Sequence, residues 1–209
     1  MCGIFGIFNH EDAATITALG LHSLQHRGQE ACGIASHDRK NFYLEKKIGL
    51  VGDNFTKKDV IDKLPGNHAI GHNRYPTAGD TVLRNVQPFF ADLASGAVAV
   101  AHNGNLTNGL SIRKKLVEKG SIFQSTSDTE TIIQLIATSK RTNFVDKLIE
   151  ALFQIQGGFS LAVMTNKKLI GVRDPYGIRP LVLGDLDGSP ILTSETCSLD
   201  IIGAKFVRE

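Results

Sequence analysis

Cysteine is scarce and poorly placed for a scaffold. The three present, Cys2, Cys32 and Cys197, are odd in number and far apart, which excludes a disulfide framework. No C-x-x-C pair occurs, so a thiolate zinc or iron–sulfur site is not expected within this segment. Long apolar runs are missing too, so nothing reads as a membrane span. The first residues lack the basic region and long apolar stretch of a secretory signal. Charge of one sign is missing: 23 Lys and Arg against 21 Asp and Glu give a net charge of +2, too small to call for nucleic acid or an anionic membrane. No G-x-G-x-x-G follows a strand, and no P-loop, internal repeat or low-complexity segment is present. The expected setting is the reducing cytoplasm.

What remains is a 209-residue chain, 42% hydrophobic, long enough to bury a sizeable core without staples. "CGIFGIF" reads as a strand beginning almost at the first residue. "EDAATITALGLHSLQHRG" reads as a helix capped by Asp12, with Gly28 just past its end. "CGIASHD" and "NFYLEKK" read as strands around a polar turn at Arg39–Lys40. "HAIGHNRY" and "GAVAVAHNGN" read as strands that end in polar clusters. Three helices follow: "TNGLSIRKKLVEKG", closed by Gly120; "TSDTETIIQLIATS", with Ser127 and Glu130 in capping-box spacing; and "NFVDKLIEALFQIQGG", ended by its glycines. Then "FSLAVMT", "LIGVRD", "PLVLGDL" and "SPILTSE" read as strands, the last two joined by an Asp187–Gly188 turn, before a short helix near Glu195. Short strands with grouped helices predict a layered α+β fold with antiparallel sheets.

Four stretches can carry chemistry. Cys2 is one peptide bond from the first residue. Removal of Met1 would put its thiol beside a free α-amino group, whose pKa of about 7.7–8.0 suits a general base. In "GHNRYPTAG" a strand delivers Arg74 to its end, where a guanidinium can clamp a carboxylate. His72 and Tyr75 beside it read as structural. In "AHNGNL" the Asn103 amide and the Gly104 N–H can form an oxyanion hole, although a plain Asn-Gly turn also fits. In "STSDTE" Asp128 opens a helix, where it can receive an ammonium group or simply complement the helix dipole. Together they suit a free amino acid with an electrophilic side-chain carbonyl, and glutamine has that form. Cys32 and Cys197 read as small buried hydrophobes.

At "CGIFGI", "LQHRGQE", "GHNRYPTAG", "HNGNL", "SDTE", "RDPYGIRPL" and "SETCSLD" the chain resembles the class II, or N-terminal-nucleophile, glutamine amidotransferases, nearly end to end. "LQHRGQE" and "RDPYGIRPL" point to the branch joined to a phosphoribosyltransferase at the opening of purine synthesis. The resemblance implies a four-layer αββα sandwich of two antiparallel sheets. It implies Cys2 as nucleophile, its α-amino group as base, and Asn103 and Gly104 as oxyanion hole. Arg74 would bind the glutamine carboxylate and Asp128 its amino group, with Thr77 in the same pocket and Arg27 and Gly28 supporting the nucleophile.

The resemblance also implies that residues 1–209 form one glutaminase domain of a longer polypeptide. No apolar strand running into paired acids and no phosphate loop of a phosphoribosyltransferase is found here. The expected partners are glutamine and that missing domain, in a homo-oligomer when full length, without nucleic acid or membrane. No cofactor is expected in this segment, and Mg2+ only for the missing domain. Two alternatives stand: the glutaminase domain of another class II enzyme, such as the glucosamine-phosphate synthase, and a glutamine sensor without turnover.

Overall fold

In the computed structural model of the chain, residues 1–75 and 82–209 are described. Among them the strands are β1 (Gly3–Phe8), β2 (Ala31–His37), β3 (Phe42–Ile48), β4 (His68–Arg74), β5 (Phe89–Leu93), β6 (Gly96–Leu106), β7 (Gly157–Thr165), β8 (Leu169–Arg173), β9 (Val182–Leu186), β10 (Ser189–Thr193) and β11 (Lys205–Arg208). The helices are α1 (Ala13–Ser23), the single turns α2 (Val51–Asn54) and α3 (Lys58–Ile61), then α4 (Gly109–Glu118), α5 (Asp128–Thr138), α6 (Phe144–Leu152) and α7 (Cys197–Ile202). The strands form a seven-stranded sheet, ordered β11-β9-β10-β1-β4-β2-β3, and a four-stranded sheet, ordered β5-β6-β7-β8. Every pairing is antiparallel.

The layering follows from which face of each strand is apolar. In β1, Phe5 and Ile7 face α1, whereas Ile4 faces the second sheet. In β6, Val98 and Val100 face the helices, and Ala99 and Ala101 face the first sheet. Strands covered on both faces are apolar at successive positions, as "AVAVA" of β6 and "LAVM" of β7 are. The middle layer is built from small side chains, Ala35, Ala99, Ala101 and Ala162, around Ile4, Ile70 and Met164. Helices α1 and α7 cover the outside of the larger sheet, and α4, α5 and α6 stand on the smaller one. The order is helix, sheet, sheet, helix: an α+β fold with the expected αββα layers.

Several local expectations are corrected. Asp12 precedes α1 but makes no side-chain cap. Gly28 does not stop that helix: a 3-10 turn over Gln25–Arg27 intervenes, and Gly28 is extended, with φ −172°. Its lack of a side chain answers a contact instead, since a Cβ there would lie 2.6 Å from the Arg74 carbonyl carbon. The glycines assigned to the end of α6 open β7; Gly157 has φ +132°, and a Cβ on it would lie 2.3 Å from the Asn105 oxygen. The Asp187–Gly188 turn is present, both residues with positive φ, as a two-residue hairpin between right-twisted strands requires.

Candidate active site

Strands β1 and β4 run in opposite directions, so Gly3 pairs with Asn73. This register brings Cys2, just before β1, beside Arg74, the last residue of β4. Cys2 is buried. Burial pushes its thiol pKa up, against the Tyr75 backbone N–H, the terminal amine and Arg74; nearby Asp128 adds to the rise. The resting thiol is therefore neutral. Burial also lowers the pKa of the Met1 amine, with help from Arg27 and Arg179 and against the opposing influence of Cys2.

The segment "LQHRGQE" forms a bracket beneath both residues. Gln25 pins it, donating to the Gly28 carbonyl at 2.6 Å and accepting from the Val51 N–H at 2.8 Å. Arg27 Nε donates to the Cys2 carbonyl oxygen at 2.9 Å. Gly28 lets the bracket lie directly on the Arg74 backbone. Glu30 Oε2 sits 3.8 Å from Arg74 Nε.

Strand β6 enters from the other sheet. Asn103 pairs with Ser160 and Gly104 with Phe159, so the Asn-Gly pair belongs to a ladder and the turn alternative fails. With its amide oriented to satisfy both neighbours, Asn103 donates to the Cys2 carbonyl at 3.1 Å and accepts from Arg27 Nη2 at 3.2 Å. Gly104 is required by space: a Cβ there would lie 2.4 Å from the Gly158 carbonyl oxygen.

Helix α5 supplies the acid. Ser127 caps it, accepting from the Thr129 N–H at 3.3 Å. Glu130 reaches past the usual capping-box partner to the N–H groups of Gln124 and Ser125, at 2.8 and 2.7 Å, and ties down the approach. Asp128 Oδ2 accepts from the Leu106 N–H at 2.9 Å, joining α5 to the end of β6. Burial alone would raise the Asp128 pKa, but His102 and the Leu106 and Thr129 N–H groups outweigh it and lower the value. The carboxylate is ionised at neutral pH. His102 Nδ1 lies 3.6 Å from it and 3.0 Å from Thr129 Oγ1.

Arg74, Asn85, Gly104, Thr126 and Asp128 line one cavity of about 310 Å³, at the small end of ligand-pocket sizes. Arg74 Nη1 donates to the Asn85 carbonyl at 3.2 Å. The Asn85 amide in turn holds Thr126 through two bonds, at 2.9 and 3.1 Å. Cys2 and Asn103 are buried and do not line the cavity, but Arg74 and Asp128, at its wall, both act electrostatically on the Cys2 thiol. Thr77 lies outside the described residues. A larger groove of about 630 Å³, among Phe8, Leu169, Leu181 and Leu192, is elsewhere and touches none of these groups.

Of the residues read as structural, His72 and Cys32 are buried as expected, whereas Tyr75 is exposed and Cys197 is only half-buried. His72 is fully buried, with its pKa pushed down to about 3, first by burial and then by His102 and Arg74. Cys32 is fully buried with its thiol pushed up to about 12, chiefly by burial. Cys197 is half-buried, its thiol also raised by burial and by Glu195. Sequence reading missed Asn85, which has no pattern to mark it. It also missed Glu30, His102 and Asp174, which stand inside or beside quoted stretches. One Asp174 carboxylate accepts from the N–H groups of Phe159, Tyr176, Ile178 and Arg179 and so builds the "RDPYGIRPL" loop. Among the described residues no group of three or more His, Cys, Asp or Glu could hold a metal ion, and no helix is long and apolar enough to cross a membrane.

With a buried thiol, an Asn-Gly strand, an arginine and an aspartate brought together in a two-sheet sandwich, the chain belongs to the glutamine amidotransferase domain family, whose model matches residues 72–200. Among individual proteins, the amidophosphoribosyltransferase of Rhizobium etli is 58% identical over 208 residues, covering 100% of this chain and 42% of that relative. A solved structure of the allosteric regulatory enzyme of purine biosynthesis superposes with a TM-score of 0.95 at 42% identity, over 100% of this chain and 45% of that one. Glutamine phosphoribosylpyrophosphate amidotransferase from B. subtilis gives a TM-score of 0.93 at 41% identity, again over 100% of this chain and 45% of that one. The chain thus spans less than half the length of the relatives it matches.

Proposed function

We propose that this chain is the glutaminase portion of an amidophosphoribosyltransferase, hydrolysing the glutamine side-chain amide through a thioester on Cys2. The observation that carries the reading is convergence: Arg74 of β4, Gly104 of β6 and Asp128 of α5 line one cavity, and Cys2, buried just before β1, feels the charges of Arg74 and Asp128. Arg74 binds the α-carboxylate and Asp128 the α-ammonium, with Thr77 assigned to the same pocket. Removal of Met1 frees the Cys2 amine. That amine takes the thiol proton as sulfur attacks the amide carbon, and the C–N bond breaks as the proton passes to the leaving ammonia. Water, deprotonated by the same amine, then cleaves the thioester to glutamate. The tetrahedral oxyanion is received by the Gly104 N–H and the Asn103 amide. An amide carries two N–H donors, so one can hold the Cys2 carbonyl while the other serves the oxyanion.

The ammonia is proposed to pass to a phosphoribosyltransferase domain of the full-length polypeptide and displace pyrophosphate from phosphoribosyl pyrophosphate. The names of relatives 41–58% identical support this acceptor over that of the glucosamine-phosphate synthase. A buried thiol within electrostatic reach of Arg74 and Asp128 favours turnover over sensing, since recognition needs no nucleophile.

The test is intact mass after exposure to a diazoketone analogue of glutamine. One adduct per chain is expected, on protein lacking Met1, and none on Cys2→Ala. Full labelling and full activity with Met1 still attached would overturn the mechanism.

A further inference from the structure

We infer that Glu195 is a positioning residue for the nucleophile: it clamps the Arg27 guanidinium so that Arg27 holds the Cys2 carbonyl and Asn103 while its charge stays neutralised. The inference rests on the glutaminase reading above.

The clamp is made in space by residues 168 apart in sequence. Strand β10 pairs with β1, Thr193 opposite Phe5. Ser194 extends that pairing: its N–H donates to the Ile4 carbonyl at 3.0 Å, and its Oγ accepts from the Ile4 N–H at 3.0 Å. The next residue, Glu195, is thereby brought alongside the start of β1. Its backbone is held as well, because Ser198 Oγ donates to the Glu195 carbonyl at 2.8 Å. The two side-chain oxygens divide the work. Oε1 accepts from Arg27 Nη1, and Oε2 lies 3.0 Å from His26 Nε2.

Arg27 is 5% exposed, and a cation that deep needs a partner. With Oε1 on Nη1, the remaining donors Nε and Nη2 point to the Cys2 carbonyl and to Asn103, at 2.9 and 3.2 Å. The guanidinium therefore acts as a spacer between a surface carboxylate and the nucleophile's backbone. The Glu195 pKa is consistent with a permanent anion: burial would raise it, but the bonds from Arg27 and His26 outweigh burial and lower it. The charged and titratable groups facing this unit are His26 and Arg27 on the 3-10 turn, Cys197 on α7, Arg179 on the 174–179 loop, and Arg74 and Asp128 across the cavity.

The experiment uses the full-length polypeptide and the pH dependence of glutamine hydrolysis. Glu195→Gln keeps the shape and removes the charge. Arg27 then stands unneutralised beside the Cys2 amine and favours the uncharged base. The acid limb of the profile should move to lower pH, by roughly half a unit. The kcat should fall roughly tenfold, the size of a lost charge-assisted bond, with the glutamine KM within about twofold, because Arg74 and Asp128 are untouched. Glu195→Asp should return the limb to its wild-type position. An unchanged kcat and limb in Glu195→Gln would overturn the inference. So would a fall of kcat and KM together with a lost thermal transition in both variants, which marks a merely structural residue. Wild-type hydrolysis by Cys2→Ala would instead sink the glutaminase reading itself.

Discussion

The antiparallel pair of β1 and β4 has two ends, and they are opposite in chemistry. At one end, Cys2 and Arg74 sit among Arg27, Glu30, Asp128 and Glu195, every cation near a carboxylate. At the other, the Phe8 ring stacks on His68, centroids 3.7 Å apart and planes at 6°. His37 lies opposite His68 in the β2–β4 register, its ring 4.5 Å from that of Phe42. Burial lowers the pKa of both histidines, so their rings stay uncharged near neutrality, and the charges of Asp38 and Arg39 are kept to the rim. The same sheet, buried to a similar degree, can store ionised groups or exclude them. Storing them requires a partner for each, and that requirement makes the first end intolerant of change.

The largest expected effect is Cys2→Ala, which should abolish both the diazoketone adduct and glutamine hydrolysis. Next is Arg74→Lys. An ammonium cannot reproduce the forked pair of bonds, and kcat/KM for glutamine should fall about ten- to hundredfold; steady-state kinetics that match the wild type would remove Arg74 from the clamp. Gly28→Ala should follow. A methyl group 2.6 Å from the Arg74 backbone forces the bracket away from β4, at a cost of about 1–3 kcal/mol in urea unfolding, with a loss of glutamine turnover. Unaltered stability there would show that the bracket yields freely.

The smallest effect belongs to the far end. His37 and His68 have folded pKa values below the unfolded value of about 6.5, so the unfolded state binds more protons as the medium acidifies. The stability they contribute is complete above pH 6.5 and is lost as pH falls through their depressed folded values. His72 extends the same loss down toward pH 3. Melting temperature against pH should therefore slope downward below 6.5. His68→Phe, which preserves the stack on Phe8, should make that slope shallower; an identical slope would mean that folding leaves the His68 pKa at its unfolded value.

Much of the architecture was legible because burial on both faces of a strand leaves a direct trace. "AVAVA" and "LAVM" are apolar at every step, and the positive φ at Asp187 and Gly188 matches the residues that tolerate it best. Other signals misled. "AHNGNL" carries a turn dipeptide, yet ladder bonds to β7 keep Asn103 and Gly104 extended. Gly28 looked like a helix stop and proved to be a contact point with Arg74, which no local pattern can encode.

Taken alone, the order of residues determined the layered α+β class and the set of groups proposed to handle glutamine: Cys2, Arg74, Thr77, Asn103, Gly104 and Asp128. It did so because side-chain chemistry and hydrophobic period are local properties. Tertiary structure alone decided that Arg27 reaches Cys2 through its carbonyl oxygen, that Glu195 neutralises Arg27 and that Asn85 steadies Arg74. Those partnerships join residues far apart in the chain, through strand register and the desolvation of charges that then must find one another.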